Sequence, residues 1–183
     1  MTKILFICHG NICRSAAAEM VLKQMAREAG RKDLRIASAA ATREEIGNDV
    51  YPPMKKALLA AGYVCEHHAA RQTTRADYGE WDYIIGMDDE NLHDMYAICE
   101  GNDPYDGGWW RRDISRKKPE RKIPHVYEAT GRRGEVISLL MDYTDRPGEV
   151  ADPWYTGNFE ETWQDVTEGC EGFLDYLKET QQI

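Results

Sequence analysis

Cys8-His9-Gly10-Asn11-Ile12-Cys13-Arg14-Ser15 lies between an apolar run, Ile4-Leu5-Phe6-Ile7, and a helical pattern, Ala16-Ala17-Ala18-Glu19-Met20-Val21-Leu22. The unbroken apolar run has the character of a buried parallel strand. A strand therefore ends in a short loop that opens into a helix N-terminus. Such an end presents unpaired backbone N–H groups and the positive pole of the helix dipole, so it attracts anions. The loop begins with a thiol and closes with a guanidinium, whose fork matches phosphate oxygens. A thiol in this field is expected to ionise readily. A thiolate beside a cradled phosphate is a nucleophile for phosphoryl transfer.

Strands and helices alternate along the rest of the chain. The first helix is expected to reach Ala29, with Gly30 as its stop. Leu34-Arg35-Ile36-Ala37 reads as a second strand. Pro52 and Pro53 open a helix over Met54 to Ala61 that Gly62 closes. Asp82 to Met87 is a third strand, Asp88 to Cys99 a helix, and Val136 to Leu140 a fourth strand. The last helix starts at Asn158, with Glu161 completing a capping box. Its apolar face holds Trp163, Val166, Cys170, Phe173, Leu174 and Leu177, and Gly169 and Gly172 weaken it slightly. This alternation predicts an α/β fold of three layers, a parallel sheet with helices on both faces. Ligands of such folds sit at the carboxyl ends of strands, where the Cys8 loop lies.

The 183 residues suit one domain, and a hydrophobic share of 42% suffices for one core. The net charge of −9 argues against nucleic acid or anionic membrane as partner. No apolar run has transmembrane length, and the N-terminal run is too short for a signal peptide, so a cytoplasmic protein with reduced thiols is expected. The five cysteines, Cys8, Cys13, Cys65, Cys99 and Cys170, show no zinc spacing. Residues 101–134 break the pattern. They are rich in Gly, Pro and charge, and read as an inserted loop rather than a second domain. The loop carries Arg111, Arg112, Arg116, Lys117, Lys118, Arg121, Lys122, Arg132 and Arg133, with Trp109 and Trp110 beside them. A flap at the site's rim that attracts acidic phosphoprotein segments is the functional reading of those cations.

Cysteine, five residues, arginine and serine form the general signature of cysteine phosphatases. The fuller CHGNICRS near the N-terminus resembles the low-molecular-weight protein tyrosine phosphatase family. So do Ile36-Ala37-Ser38-Ala39-Ala40 with Gly47-Asn48, His68-Ala69-Ala70-Arg71-Gln72, Asp82 to Asp88, and Asp152-Pro153-Trp154-Tyr155 before Gly157, Phe159 and Glu160. The resemblance implies a four-stranded parallel sheet ordered 2-1-3-4 and metal-independent hydrolysis of phosphotyrosine in proteins, with no cofactor. It assigns Cys8 as nucleophile, Arg14 as phosphate clamp and Asp152 as general acid and then base. Residues His9, Gly10, Asn11, Ile12, Cys13, Arg14 and Ser15 would hold the phosphate, and free phosphate or sulfate would occupy the same loop. Gly10 and Asn11 suit backbone of positive φ. Asn11, Ser15, Ser38 and His68 would brace the loop, with Ser15 donating to the thiolate. His9, Glu44, Trp154 and Tyr155 would line the substrate pocket, and Cys13 is a candidate redox partner of Cys8. Four positions depart from the family: Ala16 in place of proline, a polar His9, Glu44 where an aromatic or other pocket-wall residue is frequent, and Trp154 where tyrosine or another aromatic is common; the insertion at 101–134 is the largest departure.

Each residue alone has a plainer reading: Cys8 a core thiol, Asp152 a turn former, His68 a packed histidine, Cys13 a small filler. The intact loop outweighs them. The rival functions are an arsenate reductase, an arginine phosphatase, and a non-catalytic phosphate-binding or redox-sensing module. The first lacks a relay cysteine at the end of the third strand. The second usually has threonine where Ile12 stands, and the third is expected to have lost Cys8, Arg14 or Asp152. Asp103-Pro104-Tyr105 imitates the acid loop but precedes Trp109-Trp110 and a basic run instead of a helix. Asp152→Asn is therefore expected to slow turnover of a poor leaving group by about 10²–10⁴-fold, the usual worth of a general acid, and Asp103→Asn only mildly. Steady-state kinetics of both variants check this, and the reverse ranking would move the acid to Asp103.

Overall fold

The computed structural model describes residues 1–99, 127–128 and 136–180. Four parallel strands form the sheet: β1 (Thr2–Cys8), β2 (Leu34–Ala40), β3 (Tyr83–Gly86) and β5 (Val136–Leu139), in the order β2-β1-β3-β5. This is the expected 2-1-3-4 arrangement. A two-residue strand, β4 (Tyr127–Glu128), adds antiparallel to β5 at the edge. Those two residues belong to the segment read as an unstructured insertion. The rest of residues 101–134, including the Trp109-Trp110 pair, the basic run and Asp103, lies outside the described residues.

Helices α1 (Arg14–Glu28), α2 (Pro52–Ala60) and α5 (Phe159–Glu179) cover one face, and α3 (Asp89–Cys99) covers the other. Alternation along β1 builds both layers. Ile4, Phe6 and Cys8 join Val21, Leu22, Leu58, Phe173 and Leu177, while Leu5 and Ile7 join Ile84, Leu92 and Met95. The register aligns Cys8 with Ala40, Ile7 with Gly86, and Gly86 with Leu139. The carboxyl ends of all four parallel strands thus form one rim. Among the described residues no helix is long and apolar enough to cross a membrane.

Several boundaries differ from the sequence reading. β2 extends through Ser38, Ala39 and Ala40, residues of poor strand character, because it pairs with β1 along its whole length. The expected capping box at α5 is half formed. Asn158 Oδ1 accepts from the Glu161 N–H (3.2 Å), but the Asn158 N–H donates to Thr156 Oγ1, so the Glu161 carboxylate meets the Asn158 side chain instead.

Gly169 and Gly172 do more than weaken α5. A Cβ on Gly169 would lie 2.5 Å from Leu140 Cγ, and one on Gly172 only 2.0 Å from the Tyr143 carbonyl oxygen. The turn over Leu140–Tyr143 lies directly against the helix, and Tyr143 packs edge-on against Phe173 at 4.8 Å. Gly172→Ala would gain about 1 kcal/mol of helix propensity but must push a backbone carbonyl aside. We expect a net loss of about 1–3 kcal/mol, read as a lower Tm in thermal unfolding, and a raised Tm would contradict the close packing.

Candidate active site

β1 ends at Cys8, which is 3% exposed, and α1 begins at Arg14, also 3% exposed. Between them the carbonyls turn outward. Cys8 O accepts from the Ala41 N–H, His9 O from Thr42, Ile12 O from Tyr51 (2.8 Å), and Cys13 O from Ala17 as the first bond of α1. Asn11 O accepts from His68 Nε2 at 2.7 Å, which fixes Nε2 as the protonated ring nitrogen. The carbonyls of Cys8, His9, Asn11 and Ile12 are thus spent on surrounding segments. The Asn11 N–H is directed at Cys8 Sγ at 3.3 Å. No side chain caps α1, so the positive end of its dipole opens into the loop.

Asn11 makes the loop's sharpest bend. It is the one non-glycine residue with positive φ (59°) among the described residues. Gly10 does not share that conformation, contrary to the sequence expectation. Its need is space, because a Cβ there would come within 3.1 Å of Glu45 Cγ. The Asn11 side chain then ties the expected bracing residues together. Its Nδ2 donates to Ser15 Oγ (2.9 Å) and Ser38 Oγ (2.8 Å), and its Oδ1 accepts from the Arg71 N–H (3.3 Å). Ser15 Oγ, already an acceptor from Asn11, lies 3.0 Å from Cys8 Sγ and has its proton to give to the sulfur. Ser38 donates onward to Glu19 Oε2.

Arg14 is held by two carboxylates, Asp88 through Nη1 (2.5 Å) and Asp152 through Nη2 (2.7 Å). Burial opposes its charge, but Asp88, Cys8 and Asp152 outweigh burial and raise its pKa above the ordinary value. Asp152 reaches it on a segment bound at both ends. Val150 N–H donates to Met87 O (2.8 Å), Ala151 N–H to Asp165 (2.9 Å), and Thr162 Oγ1 to Ala151 O. Asp152 Oδ1 caps the short helix α4 (Pro153–Thr156) through the Trp154 N–H, leaving Oδ2 for Arg14.

The structure thus brings together Cys8, Asn11, Ser15, Ser38, His68, Arg14 and Asp152. The expected pocket wall is looser. His9 Nε2 lies 3.0 Å from Glu44 Oε2 on the surface, while Trp154 and Tyr155 follow Asp152 at 76% and 83% exposure. Ile12 and Cys13 are half-buried. Asp88, Glu19 and Arg71 were not singled out from sequence as site residues. Asp88 had a signal: an acid just past the end of the strand next to β1, where its Oδ1 also caps α3 through the Asn91 N–H (2.7 Å). Glu19, on α1 itself, had none.

A parallel sheet carrying a thiol-headed, guanidinium-closed loop between an inner strand and a helix defines an α/β protein with its candidate site at the carboxyl rim of the sheet. The profile of the family described as "Low molecular weight phosphotyrosine protein phosphatase" matches residues 3–106. The "Low molecular weight protein-tyrosine-phosphatase YfkJ" of Bacillus subtilis is 30% identical over 100% of both chains. Its crystal structure superposes with a TM-score of 0.75, covering 98% of this chain and 96% of that one. The human "Low molecular weight phosphotyrosine protein phosphatase" is 30% identical over 94% of this chain and 93% of its own. A Drosophila arginine phosphatase, at 24% identity and a TM-score of 0.75 over 97% and 98% of the two chains, shares the fold. The chain belongs to the low molecular weight phosphotyrosine protein phosphatase family, and is a hydrolase.

Cys13 caps α1 beside this charge cluster. Burial first, then Cys8 and Asp152, push its pKa up to about 12. A raised thiol pKa keeps the neutral form below that pH, so Cys13 remains protonated at pH 7–9. Iodoacetamide followed by peptide mapping should leave Cys13 unmodified in the folded protein across that range, and label it after unfolding. Fast labelling of native Cys13 at pH 7 would contradict this environment.

Proposed function

We propose that the protein hydrolyses phosphotyrosine in proteins through a phosphocysteine intermediate, without a metal or cofactor. The observation that carries the reading is the Cys8 sulfur, met by the Asn11 N–H and Ser15 hydroxyl at the mouth of a loop whose closing Arg14 bears Asp152. Donors aimed at a sulfur favour its anion. Cys8 attacks phosphorus, and Arg14 with the loop amides from His9 to Ser15 stabilises the equatorial oxygens as charge builds there. The bond from phosphorus to the phenolic oxygen breaks, and Asp152 gives that oxygen its proton. The Asp152 carboxylate then takes a proton from water as the water attacks phosphorus. The S–P bond breaks, Cys8 leaves as thiolate, and phosphate is released.

The Arg14–Asp152 pair supports a handover. An arriving phosphate competes for the same Nη2, and Asp152, displaced from the guanidinium, takes up a proton from solvent and carries it to the leaving oxygen. Asp88 remains as the fixed partner that orients the guanidinium. His9, Glu44, Trp154 and Tyr155 form the rim that meets the aromatic ring. Ile12, in place of threonine, favours an aryl over a guanidinium substrate. Cys13 is the neighbouring thiol able to close a disulfide on an oxidised Cys8, and its protonation slows that closure.

The test is turnover of phosphotyrosine, phosphoserine and phosphoarginine peptides and of arsenate, with chelator present, for wild type and Cys8→Ser. Acid-quenched wild type is mapped for covalent phosphate in parallel. We expect wild type to turn over phosphotyrosine in preference, Cys8→Ser to be inactive, and the phosphate to map to Cys8. Preference for phosphoarginine or arsenate would replace the substrate assignment, and phosphate on another residue would overturn the mechanism.

A further inference from the structure

Beside the phosphate loop lies a depression of about 630 Å³, walled by Ile12, Val50, Tyr51, Pro52 and Leu59, with Lys56 also lining it. It is continuous with the site. Ile12 belongs to both, and its carbonyl accepts the Tyr51 N–H, which fixes the groove wall to the loop. Glu45, which lines the groove as well, lies over Gly10.

Folding does not account for this surface. α2 turns Met54 and Leu58 into the core, whereas Pro52, Lys55, Lys56 and Leu59, at helical spacing, face the groove. Leu59 is an aliphatic side chain left 56% exposed. The two lysines differ. Lys55 is held by Asp49 at 3.0 Å, and this contact, first among the causes, lowers the Asp49 pKa to about 2. Lys56 has no carboxylate partner among the described residues. The groove's apolar wall is thus bordered by two acids and two lysines; Asp49 is taken by Lys55 and Glu45 accepts from the Asn48 amide at 2.6 Å, which leaves Lys56 as the lining cation without a carboxylate partner among the described residues, alongside a loop where a substrate tyrosine must arrive within a polypeptide. An extended chain advances about 3.3 Å per residue, so the few residues flanking that tyrosine cross this surface.

We propose that the groove receives the polypeptide flanking the phosphotyrosine, seating an apolar side chain between Ile12 and Leu59 and an acidic one at Lys56. The enzyme then selects phosphotyrosines with an aliphatic and an acidic neighbour. This inference rests on the phosphotyrosine reading above. Three kinds of substrate test it on the full chain: para-nitrophenyl phosphate, phosphotyrosine peptides bearing Leu and Glu on one or the other side, and the same peptides with Ser at both places. One Leu/Glu peptide should exceed its Ser counterpart about tenfold in kcat/KM. Leu59→Ser and Lys56→Glu should each reduce that preference, with para-nitrophenyl phosphate turnover unchanged. Equal kcat/KM for Leu/Glu and Ser peptides in wild type, or a preference that survives both substitutions, would overturn the groove assignment. Failure to turn over any phosphotyrosine peptide would instead overturn the reading on which it rests.

Discussion

The Asn11 carboxamide is the joint on which the loop depends. Left-handed backbone costs an ordinary residue about 1–2 kcal/mol, less for asparagine, and buried amides tolerate no missing partners. Here the bend is offset by bonds to Ser15, Ser38 and the Arg71 amide, each worth about 0.5–1.5 kcal/mol. The same bonds orient the Ser15 hydroxyl toward Cys8 and link the loop to β2 and α1. Geometry and chemistry therefore share one set of atoms. A substitution that relaxed the bend would also take the donors from the sulfur.

Electrostatics around Arg14 follow a similar economy. One buried guanidinium faces two carboxylates and the Cys8 sulfur, and these neighbours outweigh its burial and raise its pKa. A dianion entering such a site succeeds only if one acid yields its place. Asp88 is tied to the start of α3 by its second oxygen, whereas Asp152 caps a helix of only four residues. Each acid thus keeps one oxygen on a helix start and offers the other to Arg14.

Much of this was legible in the sequence. The apolar run before Cys8, the helical pattern after Arg14 and the glycines at Gly30 and Gly62 marked helix ends and site location, because each is a local signal with a fixed physical cause, whereas the strand order came from the family resemblance. Motif and resemblance singled out Cys8, Arg14 and Asp152, which the fold brings to one place. What escaped were contacts across distant segments. Asp88 reads as a helix start until β3 is laid beside β1. Gly169 and Gly172 read as mild helix weakeners until the Leu140–Tyr143 turn is set against them. The last residues of β2 look unlike a strand because their pairing with β1, not their propensity, makes them one.

Asp152 is carried on a segment clasped by β3 on one side and by Asp165 and Thr162 of α5 on the other. The Cys8 loop joins β1 to α1, whereas the clasp on Asp152 draws on α5, at the far end of the described residues. The bonds that brace the loop come from α1, β2 and the segment around His68 and Arg71, none of them from α5, so a loosened α5 would displace Asp152 before it disturbed the loop. Local opening at the start of α5 would therefore part Asp152 from Arg14 while leaving the Cys8 loop intact.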